Sequence, residues 1–347
     1  MKKNILFLYT ELAGYFVACI NELATQKNIS VHVVRWPVNK EAPFQFDIDE
    51  RISIYERDAY NDISLMELVD VVEPDIIICS GWVDKGYVNV CKRYRGKIPT
   101  VMSMDNQWHG SLKQRLACLA APFKLHSAFS QAWVPGEPQK AYAQRLGFKK
   151  VETGFYSADT KVFEPLGLEK IKVGHAIPKR LLYVGRYIPQ KGIDKLFESF
   201  LELIEEGFTG WELHCLGTGE LFDQRPIHDN IHHHGFVQPT DMHRYLKSTG
   251  VFVLPSDFEP WGVVTHEMAV AGFPMVISSA VGSVTMFLND GENGYIFKQG
   301  SKEALKKALK KMMQAKDSEL RDMATASFEK GMSWTPERWV ETIIRMI

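Results

Sequence analysis

The chain has 347 residues, with 41 Lys+Arg against 42 Asp+Glu, 45% hydrophobic and 24% charged. A chain this apolar, with a formal net charge of -1, is not intrinsically disordered and exerts no overall pull on nucleic acid. No run approaches the roughly 18 apolar residues of a membrane span. The apolar run Ile5–Tyr9 is interrupted at Glu11, too early for a signal peptide, so it reads as a first β-strand.

The length suits two domains of about 100–200 residues each. Five widely spaced cysteines (Cys19, Cys79, Cys91, Cys118, Cys215) form no C-x-x-C pair. A reduced, cytoplasmic protein is expected. In chain order, strands are predicted at Ile5–Tyr9, Val31–Trp36, Ile52–Glu56, Asp75–Ser80, Thr100–Met104 and Ala132–Val134. Leu12, Phe16, Cys19, Ile20 and Leu23 recur at helical spacing between the first two. The run Ile76-Ile77-Ile78-Cys79 lacks polar alternation, which suits a parallel strand covered on both faces. The stretch 157–178, with Pro165, Gly167, Gly174 and Pro178, reads as a linker. A second series follows: strands at Leu181–Val184, Glu212–Leu216, Ile231–His233, Val251–Leu254, Met275–Ile277 and Tyr295–Phe297. Its helices are expected at Ile193–Glu206, Asp241–Lys247, Val263–Ala271, Lys302–Gln314, Met323–Lys330 and Pro336–Ile347. Such βαβ series build open parallel sheets, whose ligands bind at the carboxyl ends of the strands.

One local charge bias survives the neutral total. Residues 85–124 hold eight Lys/Arg and one acid, Asp105. Within them Leu112, Leu116, Leu119 and Phe123 fall at helical spacing. A basic amphipathic helix of this kind lies on anionic membranes; the alternative is a packed helix with a solvated rim. The lysines at 302, 306, 307, 310 and 311 read as one solvated helix face. His228, His232, His233 and His234 do not suggest a metal site, because consecutive strand residues point to opposite faces. Gly217-x-Gly219 lacks the third glycine of a dinucleotide fingerprint, since residue 222 is Phe.

Two motifs carry chemistry. Val184-Gly185-Arg186-Tyr187-Ile188-Pro189-Gln190-Lys191-Gly192 follows a strand and precedes a helix, where free N–H groups and two cations suit a phosphate. Arg186 can bind phosphate oxygens in a bidentate way, with Lys191 as a point charge. In Glu259-Pro260-Trp261-Gly262-Val263-Val264-Thr265-His266-Glu267, two carboxylates lie eight residues apart, a little over two helical turns, so both can face one cleft and accept hydrogen bonds from hydroxyls. Gly262 permits a close backbone approach.

Strand-Gly-Arg-x5-Gly followed by Glu-x7-Glu resembles the retaining glycosyltransferases of family 4. Further similarity runs through Leu216-Gly217-Thr218-Gly219-Glu220, His234-Gly235-Phe236-Val237, Gly272-Phe273-Pro274 and Asp290-Gly291-Glu292-Asn293-Gly294. The resemblance implies the α/β GT-B architecture, two Rossmann-like domains with parallel sheets facing across a cleft. Residues 1–165 would form the acceptor-side domain, joined by the final helix 334–347, and residues 166–333 the donor domain. It further implies transfer of a sugar from a UDP- or GDP-linked donor to a glycan or lipid-linked acceptor of a bacterial surface polysaccharide, with no metal or other cofactor and no nucleic acid partner.

By the same resemblance Arg186 and Lys191 neutralise the donor diphosphate, Glu259 holds sugar hydroxyls and Glu267 the ribose. Gly185, Gly262 and Val263 supply backbone, Phe236 and Val237 line the base pocket, and Gly14 approaches the phosphates. The first loop, Thr10-Glu11-Leu12-Ala13-Gly14, has one glycine where the family commonly has a pair. Where many members place a histidine, this chain has Asp105, with His109 four residues later; either would touch sugar or acceptor. After Gly282 the chain reads Ser283-Val284-Thr285-Met286 in place of the family's frequent glutamate. A nucleotide-sugar epimerase of the same architecture, or a degenerate nucleotide-sugar-binding protein, are the alternative readings. The expected location is the cytoplasm, with contact at the inner membrane face through residues 85–124 as the reading of the basic helix.

Overall fold

The computed structural model describes residues 2–37, 46–172, 176–238 and 241–347. The chain divides into two compact units, Met1–Asp159 with Trp334–Ile347, and Thr160–Ser333.

The first unit holds strands β1 (Lys3–Tyr9), β2 (Ile29–Arg35), β3 (Ile52–Glu56), β4 (Ile76–Ser80), β5 (Thr100–Ser103), β6 (Gln131–Trp133) and β7 (Val151–Glu152). They pair in parallel in the order β3-β2-β1-β4-β5-β6-β7. The short β7 has no counterpart in the sequence prediction; two residues are too few to show a period. Ile5, Leu6, Phe7 and Leu8, and Ile76, Ile77 and Ile78, are fully buried on both faces, which accounts for their unbroken apolar runs. The last helix, Pro336–Met346, packs on this sheet. Trp339 is fully buried, lies 4.9 Å from the Trp133 ring, and donates its indole N–H to the Phe155 carbonyl at 2.8 Å.

The second unit holds β8 (Arg180–Val184), β9 (Glu212–Leu216), β10 (Ile231–His233), β11 (Val251–Leu254), β12 (Met275–Ser278) and β13 (Gly294–Phe297). Their order, β10-β9-β8-β11-β12-β13, is again doubly wound. Helix Ile193–Glu205 buries Ile193, Leu196, Phe197, Phe200 and Leu203 at three- and four-residue spacing. Helix Lys302–Met313 lies beside it, and its lysines are not a simple solvated face. Lys306 bridges Glu202 and Glu206, Lys302 meets Glu202, and Lys310 meets Glu206. Lys311 lies 4.2 Å from the Tyr295 ring centre.

The expected linker is mostly helix. Thr160–Lys170 is helical and belongs to the second unit, so the units part at 159/160 rather than at 165/166. Gly167 is there for packing: a Cβ would sit 2.2 Å from the Val270 carbonyl oxygen. Gly174 lies outside the described residues. Helix Leu112–Lys124 forms as predicted, but its apolar stripe points outward: Leu112, Leu116, Leu119 and Phe123 are 79%, 65%, 73% and 83% exposed. Its inward side is made of small residues, with Ala121 buried. Among the described residues no helix is long and apolar enough to cross a membrane.

Candidate functional site

The second sheet reverses its winding between β8 and β11. The loops leaving the carboxyl ends of these two strands carry both sequence motifs. They are tied together through backbone: the N–H groups of Asp257 and Phe258 donate to the Gln190 carbonyl at 2.8 and 3.3 Å. Gly192 makes this approach possible. It has φ +62°, and a Cβ there would lie 2.3 Å from the Pro255 carbonyl oxygen. A side chain would therefore meet both left-handed strain and backbone overlap.

This clamp brings Lys191 to Glu259, and the two form an ion pair with side chains 18% and 14% exposed. Lys195 pairs with Asp257 beside them; sequence reading missed this second pair, because its members are 62 residues apart. Arg186 is exposed and forms no salt bridge among the described residues. Its carbonyl accepts the Tyr183 hydroxyl at 2.8 Å. Burial drives the Tyr183 pKa well up, so the phenol remains a donor that fixes the turn at Gly185-Arg186.

Glu259 is not helical. It forms a parallel bridge with Val281, and its carbonyl accepts from Gly282 at 3.2 Å. The helix begins only at Val263. The two-turn phase expected between Glu259 and Glu267 therefore does not apply. Their placement is set instead by Gly262, at φ +86°, where a Cβ would lie 2.9 Å from Glu259 Cγ. Ser283 holds this turn, its hydroxyl donating to the Gly262 carbonyl at 2.9 Å. Val263 and the half-buried Glu267 lie four residues apart on the helix, hence on one face. Phe236 and Val237 follow β10 in the same unit, Phe236 being 53% exposed.

In the first unit, Gly14 opens helix Gly14–Ala24 and is exposed. A Cβ there would meet only Phe46 at 3.9 Å, so the backbone does not demand glycine. Asp105 follows β5 and is half-buried. The Tyr9 pKa is raised first by burial, then by Tyr15 and Asp105, which places this carboxylate near the end of β1. His109 lies further along the same loop, exposed, with its backbone N–H donating to Gln114 at 2.8 Å.

The histidines behave as strand geometry requires, but with an addition. His233 points away from its neighbours, to Tyr187 at 2.9 Å and the Pro226 carbonyl at 2.8 Å. His214, His232 and Glu212 meet on the other face, with potential ligand atoms all within 4.8 Å of one another.

Residues 169–330 match the family described as Glycosyl transferases group 1. An uncharacterized glycosyltransferase of Methanocaldococcus jannaschii is 32% identical over 123 residues, 33% of this chain and 31% of that protein. The capsular polysaccharide biosynthesis glycosyltransferase CapM of Staphylococcus aureus is 26% identical over 183 residues, 49% of this chain and 47% of its own. The matches thus span less than half of these relatives' length, 31% and 47%. The solved sucrose-phosphate synthase of Thermosynechococcus elongatus shares the fold over 100% of this chain and 98% of its own, with TM-score 0.74 at 16% identity. The second unit, whose doubly wound sheet carries the Arg186–Lys191 loop and the glutamate motif, is similar almost throughout to the group 1 glycosyltransferases.

Proposed function

We propose that this chain is a retaining glycosyltransferase that moves a sugar from a UDP- or GDP-linked donor to a glycan or lipid-linked acceptor of a surface polysaccharide. The observation that carries the reading is the Lys191–Glu259 pair at the β8/β11 switch point, with exposed Arg186 on the same loop. As the bond between sugar C1 and the phosphate oxygen breaks, its electron pair goes to the leaving nucleoside diphosphate. Arg186 and Lys191 stabilise that charge without reorganising. Glu259 orients Lys191 and accepts sugar hydroxyls, Glu267 accepts the ribose hydroxyls, and Phe236 and Val237 meet the base. The acceptor hydroxyl attacks the same face and passes its proton to a donor phosphate oxygen, with Asp105 or His109 contacting acceptor or sugar and Gly14 near the phosphates. The reaction needs no metal. CapM, a capsular polysaccharide enzyme by name, supports the acceptor class.

The acceptor's membrane is reached through helix Leu112–Lys124. Its outward Leu112, Leu116, Leu119 and Phe123 fall within an arc of about 60° at 100° per residue. Lys113 and Arg115 flank the stripe on its two sides, where basic side chains reach anionic headgroups while the apolar groups enter the interface. The chain then works at the cytoplasmic face of the membrane.

The deciding measurement is thermal stability with UDP, GDP, ADP and dTDP, on the native chain and on Lys191→Ala. A nucleotide at about 100 times its Kd adds roughly 2.7 kcal/mol. One of the four should raise the native midpoint and not that of Lys191→Ala, whose turnover should fall by about 100-fold. No shift with any of them, together with normal turnover in Lys191→Ala, would sink the assignment.

A further inference from the structure

The edge of the second sheet carries a side-chain cluster unrelated to the donor loops. Parallel pairing sets His232 of β10 directly beside His214 of β9. Glu212 lies two residues before His214, so both project from the same face of β9. His214 Nε2 is 3.0 Å from Glu212 Oε2, and His232 Nε2 is 3.8 Å from the same oxygen. Zinc with bonds of about 2.0–2.2 Å in tetrahedral geometry holds its ligand atoms about 3.4 Å apart. The three groups therefore need side-chain adjustment only, with the backbone already in place.

The remaining nitrogen of His214 is also engaged. Its Nδ1 lies 3.0 Å from His234 Nε2, a contact that fixes the ring and leaves Nε2 toward Glu212. Metal-binding histidines are held in this way by a second partner on the other nitrogen. The group that competes for the position is Arg180, with Nε 2.7 Å from Glu212 Oε2. Its side chain is 42% exposed, so it can turn out into water. The side chains of Glu212, His214 and His232 are 35%, 12% and 39% exposed, which leaves a route for an ion.

We propose that Glu212, His214 and His232 form a binding site for a borderline divalent metal of the zinc class, with the fourth position open to water. Two imidazoles and one carboxylate suit zinc or cobalt, whereas magnesium and calcium favour all-oxygen sets. Glu212 opens β9 and His214 lies mid-strand, so the site is on the sheet face, apart from the carboxyl ends where Arg186 and Lys191 stand. It would pin the edge strand β10, which leads directly into Phe236 and Val237.

The test is titration of the chelator-treated full chain with Co2+ and with Zn2+. The ligand-field absorption of bound Co2+ reports tetrahedral coordination, and competition with a chromophoric chelator gives the Zn2+ affinity. One equivalent should bind per chain. His214→Gln and His232→Gln should each weaken binding at least tenfold, while His228→Gln should leave it unchanged. His232 is the more exposed ligand, so its variant keeps the test valid if His214→Gln fails to fold. Absence of micromolar binding, or binding retained in His232→Gln, overturns the proposal.

Discussion

Two lysines of the second unit illustrate how surroundings set the meaning of one residue type. Lys191 faces a carboxylate, Glu259, at the loop junction. Lys170 has no acid in contact among the described residues. Its ammonium donates to the carbonyls of Thr249 at 2.7 Å and Leu246 at 3.3 Å, and lies 4.0 Å from the Phe273 ring centre. Burial lowers its pKa from 10.5 to about 8. The folded state therefore releases this proton first. Between pH 8 and 10.5 the unfolded chain binds more protons, so the contribution of Lys170 to stability rises with pH through that window. The size is about 3 kcal/mol at 1.36 kcal/mol per pKa unit. Urea denaturation of the native chain and Lys170→Met across this range should give a stability difference that shifts toward the native chain as pH rises. Parallel pH curves would remove the effect. None of this was legible in sequence, where Lys170 lies in a stretch whose Pro165 and Gly167 mimic a linker. Gly167 is small because Val270 comes close, a reason that depends on a neighbour far along the chain. The placement of Arg186, Lys191 and Gly262 in loops between a strand and a helix was legible because that context is local. The pairing of Lys191 with Glu259, 68 residues away, was not.

At the scale of elements, periodicity located nearly every strand of both sheets, and the unbroken Ile76–Cys79 run correctly indicated burial on both faces. Periodicity cannot say which way an amphipathic helix turns. Leu112, Leu116, Leu119 and Phe123 would look the same packed inward, and only the structure turns them to solvent. An outward stripe flanked by Lys113 and Arg115 has a measurable consequence. The native chain should sediment with anionic phospholipid vesicles at low salt and not with neutral ones. Lys113→Glu with Arg115→Glu should weaken binding by about 1 kcal/mol per charge near the surface. Leu116→Glu with Phe123→Glu should abolish it, with the melting temperature nearly unchanged, since neither side chain is buried. Vesicle binding that survives both pairs would assign membrane contact elsewhere.

At the scale of the whole molecule, the chain leaves the first unit at Asp159 and re-enters it at Trp334. The first unit is thus completed only by residues that follow the second in the chain, whereas the second is continuous. The helix Pro336–Met346 is the closing piece, and Trp339 is its anchor. The indole lies against Trp133 at 4.9 Å, against Phe7 at 6.0 Å and edge-on to Phe16 at 6.4 Å. Removing a fully buried tryptophan costs about 3–5 kcal/mol through lost transfer energy and the cavity left behind. The loss belongs to one unit. In Trp339→Ala, hydrogen exchange should quicken in β1, in helix Gly14–Ala24 and around Phe155, whose carbonyl loses its indole donor. Exchange in β8, β11 and β12 should remain at native rates. Equal acceleration in both units would mean that the final helix governs the stability of the entire chain, and no acceleration would mean that the first sheet holds without its last helix.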